Sequence, residues 1–157
     1  MKQNNDIIDH ILQFLNSIQI QVVEQKGTDD TFLPGLHIKS NTLFLDRDKL
    51  KYPGDLLHEA GHMAVAEEKN RILIGTEDQD KNWPTDGEEI ATLLWSYAAS
   101  CHLKINPKIV FHENGYKGDS NWLVAQYTGQ NYIGLPLLEW MGLSSPKDFP
   151  RMKKWVR

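Results

Sequence analysis

At the centre of the chain stands the sequence His58-Glu59-Ala60-Gly61-His62. It has the pattern H-E-x-x-H and lies within residues 53–69, where the spacing of apolar residues predicts a helix opened by Pro53. Histidines at positions i and i+4 project from one face of a helix, so both imidazoles can reach one metal ion. Glu59 between them is placed to take a proton from a metal-bound water. The motif therefore predicts one zinc ion per chain, with His58 and His62 as ligands and Glu59 as the catalytic base.

A catalytic zinc usually has three protein ligands and one water, so a third ligand must come from elsewhere in the chain. The residues after His62 do not continue as H-x-x-G-x-x-H, which excludes the metzincin arrangement. The next strongly predicted helix opens with Glu88 and Glu89, of which only one can point at the metal. We favour Glu89, because Thr92 and Ser96 on its face are small enough for close packing against the motif helix, and Glu88 is the alternative. Weaker alternatives are the other acidic residues that follow the motif: Glu67, Glu68, Glu77, Asp78, Asp80 and Asp86.

Several other side chains have both a functional and a structural interpretation. Asp55 could hydrogen-bond a ligand imidazole, but we favour a role as helix cap. His102 and His112 could each supply a ligand or an oxyanion donor, although a lone histidine is more often structural. Four tyrosines could donate to a tetrahedral intermediate, and their spacing selects none: Tyr97, Tyr116, Tyr127 and Tyr132. Four tryptophans are interpreted as core anchors: Trp95, Trp122, Trp140 and Trp155.

The remaining pattern predicts a mostly helical α+β fold in a single domain spanning residues 1–157. A helix over residues 6–18, capped by Asp6, precedes a strand over residues 20–24. Strands at 36–38 and 42–45 flank Lys39-Ser40-Asn41, which predicts a hairpin. The three strands predict a small, mainly antiparallel sheet beside the motif helix. Further predicted helices cover residues 88–104 (capped by Asp86), 107–111, 120–127 (capped by Ser120) and 136–141, and predicted loops cover residues 27–30, 34–35 and 70–87.

Composition excludes several classes of protein. The chain has 157 residues, of which 24% are charged, and a net charge of −4, so nothing indicates a nucleic-acid surface. No segment resembles a signal peptide or a membrane span, so we expect a cytoplasmic protein. The single cysteine, Cys101, excludes an internal disulfide and is expected to be buried. The basic residues near the end of the sequence are expected to form a solvated tail: Lys147, Arg151, Lys153, Lys154 and Arg157.

The order of these features resembles the minimal zincin core, and most closely the ImmA/IrrE-type metallopeptidases. The resemblance rests on the strand Thr42–Leu45, the pentapeptide His58–His62, and a following helix with Glu89, Ala91 and Tyr97-Ala98-Ala99. It implies a zincin-like fold, zinc bound by His58, His62 and Glu89, and catalysis by Glu59. Where that family has an Ala-Asn pair and a later Phe-Ala, this chain has Ala91-Thr92 and Tyr97-Ala98. Residues 105–157 resemble no family that we can name.

Three functional hypotheses follow. The first is a zinc metallopeptidase that cleaves a peptide or protein substrate, with the hairpin strand beside the motif helix aligning the substrate by backbone pairing. Its activity could be restricted to one partner protein. The second is a non-catalytic zinc-bearing regulatory or interaction domain, and the third is a metal-free fold with a vestigial motif. A structural zinc usually has four protein ligands, and Glu59 would have no purpose there, so the sequence favours the enzyme. The substrate and the oligomeric state are not readable from the sequence.

Overall fold

The computed structural model describes residues 2–27 and 33–157. It confirms the predicted α+β fold, in which helices predominate. The loop predicted at residues 28–30 lies outside the described residues. The helices are α1 (Lys2–Ser17), α2 (Gly54–Val65), α3 (Glu68–Arg71), α4 (Asp86–Leu103), α5 (Pro107–Val110), α6 (Ser120–Thr128) and α7 (Leu135–Trp140), with a 3-10 helix at Tyr116–Gly118. The strands are β1 (Val22–Glu24), β2 (Leu36–Lys39) and β3 (Thr42–Leu45).

The three strands form one mixed sheet in the order β1-β3-β2. β2 and β3 pair antiparallel as the predicted hairpin, and Ser40 and Asn41 in its turn both have positive φ, as a type I′ turn requires. β1 pairs with β3 in parallel, with Val23 opposite Phe44. The prediction of a mainly antiparallel sheet is therefore only half correct. Local sequence predicts the hairpin, but it does not show whether β1 pairs with β2 or with β3. Pairing with β3 is what makes β1 parallel to its neighbour.

The motif helix α2 lies at the centre of the fold. It contacts α1, α4, α5 and β2, and ten of its twelve residues are buried. The two that stay partly exposed are His58 and Glu59. The apolar stripe predicted for this helix is buried throughout: Leu57, Ala60, Gly61, Ala64 and Val65. Solvent therefore reaches this helix mainly at two residues of the motif.

The motif helix ends at Val65, four residues earlier than predicted: Ala66 has an extended backbone, and two arginines satisfy the last carbonyls. The Arg71 guanidinium donates to the carbonyls of Met63 and Ala66, at 2.8 and 3.0 Å. The backbone N–H of Arg157 donates to Ala64 at 2.9 Å, and Arg71 also donates to the Arg157 carbonyl at 2.8 Å. The prediction of a solvated basic tail is thus wrong for Arg157, which packs against the end of α2.

Helix starts also differ from the predicted caps. α1 begins at Lys2, so Asp6 lies inside the helix. α4 is capped by Thr85, and Asp86 is its first residue. The Thr85 hydroxyl accepts the Glu88 N–H at 3.2 Å, while the Glu88 carboxylate accepts the Thr85 N–H at 3.4 Å. This reciprocal capping box fixes the start of α4. Ser120 is the first residue of α6 and does not cap it.

The predicted core anchors divide into two pairs. Trp95 is fully buried, and Trp155 packs edge-on against it with ring centroids 5.6 Å apart. Trp122 and Trp140 are instead 53% and 72% exposed, so these two predictions are wrong. They lie on α6 and α7, two short helices that bury few apolar side chains. The buried ones are Leu123 and Tyr127 on α6 and Leu138 on α7. Cys101 is only half-buried, so the prediction of a buried cysteine is wrong. Within the described ranges, no helix is both long and apolar enough to cross a lipid bilayer.

Candidate metal centre

The centre is built where α2 and α4 cross, and Gly61 permits their close approach. A Cβ atom on Gly61 would lie 3.0 Å from Thr92 Cγ2, 3.0 Å from Trp95 Cε3 and 3.3 Å from Ser96 Oγ. Thr92 and Ser96 are completely buried in this contact. The small residues predicted to bring the two helices together therefore do so, and the contact places the start of α4 beside the motif histidines.

Three side chains converge at this crossing. His62 Nε2 lies 3.1 Å from His58 Nε2 and 3.1 Å from Glu89 Oε2, and His58 Nε2 lies 3.5 Å from Glu89 Oε1. The donor atoms of these three residues all fall within 4.8 Å of one another. They are the one such group of histidine, cysteine and carboxylate side chains among the described residues. The structure thus places His58, His62 and Glu89 where they can hold a metal ion.

The spacing of the donor atoms fits a small tetrahedral ion. Nitrogen and oxygen ligands lie about 2.0–2.2 Å from zinc, so two ligands of one tetrahedral zinc lie about 3.3–3.6 Å apart. Of the observed separations, 3.5 Å falls within that range, and the two of 3.1 Å are slightly shorter. Among the described residues, three side chains are placed to act as ligands of one ion.

Each histidine is also held from behind by a hydroxyl group. Thr92 Oγ1 lies 3.3 Å from Nδ1 of His62, and the Tyr116 hydroxyl lies 3.5 Å from Nδ1 of His58. The Nε2 atoms therefore face the shared centre, and the Nδ1 atoms face the hydroxyls. Partners of this kind fix the orientation of ligand imidazoles. The contact also distinguishes Tyr116 from the three other tyrosines, which no sequence spacing could do.

Tyr116 reaches this position through an unusual backbone. Tyr116 and Lys117 both adopt positive φ, at 58° and 54°, and Gly118 follows at 86°. Non-glycine residues rarely take this left-handed conformation, which costs about 1 kcal/mol or more for each. Such strain persists when surrounding contacts hold it, and here the Tyr116 ring packs against Phe111 and His58. The other three candidate tyrosines belong to aromatic packing: Tyr97, Tyr127 and Tyr132.

The protonation states suit metal binding. Burial, with a smaller contribution from the neighbouring His62, lowers the pKa of His58 to about 4, so its imidazole is neutral at pH 7. Burial opposes ionisation of Glu89, but the hydrogen bond to His62 and the charges of both histidines outweigh it and lower the Glu89 pKa. The centre therefore presents a neutral imidazole and an ionised carboxylate, which are the forms that bind metals.

Glu59 lies beside the three ligands and has a different environment. Among the described residues, none hydrogen-bonds to its carboxylate, whereas Glu89 and Glu88 both have partners. Burial raises the pKa of Glu59 to about 7, and the charges of Asp55 and Glu89 raise it while that of His62 lowers it. A carboxylate with this pKa and no partner can exchange a proton near neutral pH.

The structure separates the roles of the two adjacent glutamates. Glu89 faces the histidines, and Glu88 completes the capping box with Thr85. Glu88, the alternative third ligand, thus caps the helix, and Glu89 joins the histidines as predicted. The weaker alternatives stand outside the cluster: Glu67, Glu68, Glu77, Asp78, Asp80 and Asp86.

Asp55 and His112 form a buried pair that the sequence did not reveal. His112 Nε2 lies 2.8 Å from Asp55 Oδ1, and the Tyr52 ring stacks on His112 at 3.8 Å. Asp55 makes no side-chain cap bond, so the capping interpretation is wrong, as is its alternative role toward a ligand imidazole. The pair spans 57 positions of sequence, and no local pattern marks it. His102 packs between Phe14 and Trp155 and is not part of the centre.

Trp83 is a neighbour of the centre that sequence reasoning missed. Its ring meets that of His62 edge-on, with centroids 5.4 Å apart. Trp83 lies in the polar segment that precedes α4. A large aromatic side chain in a polar loop is the one sequence signal that could have indicated its role.

No protein-family model, no curated protein and no solved structure matches this chain. The arrangement of His58, His62 and Glu89 is therefore the main basis for a functional assignment.

Proposed function

We propose that this protein is a zinc-dependent metallopeptidase with Glu59 as its general base. One observation carries the proposal. His58, His62 and Glu89 converge at separations suited to one tetrahedral ion, while the adjacent Glu59 carboxylate has no hydrogen-bond partner among the described residues. A role in packing alone does not explain a partly exposed glutamate that sits beside these three side chains with no partner in the described part of the chain.

Zinc is the metal that this donor set favours. Two imidazoles and one carboxylate form a common ligand set of catalytic zinc in peptidases. Calcium and magnesium instead prefer shells made of oxygen atoms. The sequence resemblance to ImmA/IrrE-type metallopeptidases supports the same ligands, with Ala91-Thr92 in α4 at the place of that family's Ala-Asn pair.

The side chains would divide the reaction as follows. When bound, zinc supplies Lewis acidity, which lowers the pKa of a water ligand toward 7 and polarises a carbonyl group. Glu59 accepts the proton that water releases on attacking the peptide carbonyl, and then delivers it to the leaving amine. Thr92 and Tyr116 hold the two imidazoles, so the ligand geometry is preset before substrate arrives.

The edge strand β2 offers a place for the substrate backbone. It contacts the motif helix and lies at one side of the sheet. An extended peptide could add to such an edge by main-chain hydrogen bonds. The stretch is short, because Leu36 already bonds to Leu33, and Ser40 just beyond the strand bonds to Ile74. We therefore propose that β2 aligns only a few residues of a peptide.

A non-catalytic zinc-bearing domain is the second candidate. Structural zinc sites are usually closed by four protein ligands. The described residues supply three, and Glu59 has no role in such a site. These two observations favour the peptidase.

The test is a comparison of Glu59→Gln with the natural sequence. Both proteins are expected to bind about one zinc ion per chain, measured by metal analysis after dialysis. Only the natural sequence is expected to cleave a mixed library of unstructured peptides or a partner protein recovered with the inactive variant, with products detected by mass spectrometry. Glu68→Gln, an exposed glutamate on the neighbouring α3, is the matched control and should remain active. Cleavage by Glu59→Gln at the normal rate would refute the catalytic role.

A further inference from the structure

The segment that carries Tyr116 is tied to the start of the motif helix. Gly54 opens α2, and a Cβ atom at this position would clash with the carbonyl oxygen of Ile109 in α5. The absence of a side chain therefore lets the two backbones come this close. α5 thus ends beside the first turn of α2, which brings His112 next to Asp55.

A hydrogen bond and a stacked ring fix the imidazole of His112. Its Nε2–H donates to Asp55 Oδ1 at 2.8 Å, since a carboxylate offers only acceptor atoms. The Tyr52 ring covers one face of the imidazole, with centroids 3.8 Å apart. The side chains of Asp55 and His112 are only 8% and 13% exposed. A bond to a carboxylate that is largely shielded from water leaves the imidazole little freedom to turn.

The fixed imidazole supports the backbone that leads to Tyr116. The His112 carbonyl accepts the Gly115 N–H at 3.1 Å, which closes a turn over residues 112–115. The His112 ring packs against this turn, because a Cβ atom on Gly115 would lie 3.1 Å from its Cε1. The ring of Tyr116, the next residue, meets that of His112 edge-on, with centroids 6.2 Å apart. The left-handed backbone at Tyr116 therefore begins from a support that Asp55 holds in place.

This support matters because Tyr116 makes a single polar contact. Its hydroxyl lies 3.5 Å from His58 Nδ1 and has no other hydrogen-bond partner among the described residues. This separation is at the limit for a hydrogen bond, so moving the loop away by about half an ångström would break the contact. A partner on the outer nitrogen fixes the orientation of a ligand imidazole. The position of the loop thus decides whether His58 is held toward the centre.

We propose that Asp55 and His112 are positioning residues of the metal centre. They hold the loop that carries Tyr116, and Tyr116 holds the imidazole of His58 with its Nε2 toward the centre. Neither Asp55 nor His112 belongs to the group of side chains that can hold the ion. The proposal goes beyond the peptidase function and concerns metal binding alone, so zinc affinity tests it without any substrate.

A double-mutant cycle distinguishes this role from a merely structural one. The four proteins are the natural sequence, His112→Ala, Tyr116→Phe and the combination of both changes. Zinc affinity is measured for each by competition with a chromophoric chelator. Each single variant is expected to bind zinc about tenfold more weakly. The combination should also be about tenfold weaker, and not about 100-fold, because both changes remove the same support.

Conservative and distant variants complete the test. Asp55→Ala removes the acceptor of the His112 N–H and should lower zinc affinity by about tenfold. Asp55→Asn removes the same charge but keeps an acceptor oxygen, so it should bind zinc as tightly as the natural sequence. These two variants decide the matter even if His112→Ala does not fold. His102→Ala is the matched control: its ring packs against Phe14 and Trp155, so its loss should lower stability in urea without changing zinc affinity.

NMR of the zinc-loaded proteins gives a second readout. The proton on His58 Nδ1 should give a resonance that is protected from exchange with water, because the Tyr116 hydroxyl accepts it. This resonance should be lost in Tyr116→Phe, His112→Ala and Asp55→Ala. It should persist in Asp55→Asn and His102→Ala.

Each other outcome has a definite meaning. Unchanged zinc affinity in His112→Ala or Asp55→Ala would overturn the proposal. Additive losses in the cycle would also overturn it, because His112 would then act independently of Tyr116. Equal losses for Asp55→Ala and Asp55→Asn would assign the effect to charge and exclude the positioning role. A natural sequence that binds no zinc would overturn the proposal together with the metal centre, whereas zinc binding without peptide cleavage would refute only the peptidase function.

Discussion

Replacing Gly61 by alanine tests the helix crossing on which the centre depends. The new Cβ atom would lie 3.0 Å from two buried carbon atoms, Thr92 Cγ2 and Trp95 Cε3. Carbon atoms normally pack about 3.5–4.0 Å apart, so α2 and α4 must separate by about half an ångström. Because one helix carries both histidines and the other carries Glu89, this separation should also spread the ligands. Gly61→Ala is thus expected to weaken zinc binding although no ligand is changed.

Two opposing terms set the size of the effect on stability. Overpacking a well-filled core costs about 1–3 kcal/mol. Alanine in place of glycine inside a helix returns up to about 1 kcal/mol. The net expectation is a loss of about 1–2 kcal/mol, which lowers the melting temperature by about 2–8 °C in a chain of this size. A displacement of this kind should lower zinc affinity by about tenfold, similar to the loss of a supporting contact.

Gly87→Ala provides the matched control. Gly87 is a helical glycine at the start of α4, and a Cβ there would meet only Leu137 Cδ1 at 3.9 Å, an ordinary contact. This variant should be as stable as the natural sequence or slightly more stable. Urea unfolding of the metal-free proteins measures stability, and competition with a chromophoric chelator measures zinc affinity. If Gly61→Ala matches Gly87→Ala in both, the close crossing does not set the ligand geometry.

Three further predictions concern single side chains. Glu89→Gln should lower zinc affinity by more than about 100-fold in a chelator competition. Glu88→Gln should leave it unchanged, because glutamine keeps the capping box. The reverse result would return the ligand role to Glu88. Removing one hydroxyl, by Thr92→Val or Tyr116→Phe, should lower zinc affinity by about tenfold in the same assay, and unchanged affinity would show that the hydroxyls do not hold the imidazoles. Metal-free Glu59→Gln should exceed the natural sequence in stability by on the order of 1 kcal/mol at about pH 8, because burial raises the Glu59 pKa from 4.5 to about 7. The raised pKa makes ionised Glu59 unfavourable in the fold, so this advantage should grow as pH rises from about 4.5 through 7 and vanish near pH 4, where the carboxyl is protonated in both states. Equal differences in urea unfolding at pH 4 and pH 8 would contradict the raised pKa.

The sequence could predict those residues of the centre whose spacing places them on one face of a helix. His58 and His62 share a face because of their spacing, and Glu89 could be chosen over Glu88 because Thr92 and Ser96 lie on its side of α4. The hairpin was readable for the same reason, since Ser40-Asn41 suits a turn with positive φ. In each case, the residues that decide the prediction lie a few positions apart or within one helix or hairpin.

The missed features depend on contacts between distant parts of the chain. The helix-cap prediction for Asp55 is wrong because Asp55 pairs with His112, which is 57 positions away and outside any local pattern. Trp122 and Trp140 were assigned to the core from residue type alone, but burial depends on where α6 and α7 settle. Tyr116 could not be selected because its position requires a left-handed backbone that no pattern in this segment announces.

The contacts at the end of the motif helix have a consequence for biosynthesis. The ribosome adds residue 157 long after residue 65, yet the carbonyls of Ala64 and Val65 are both satisfied by Arg157. A nascent chain that has emerged only through α4 already carries His58, His62 and Glu89, but the last turn of α2 still has open carbonyls. The centre should therefore reach its final rigidity only once Arg157 has docked. Zinc acquisition by the ordered site would then follow synthesis of the whole described chain, although all three ligands lie in its first 89 residues.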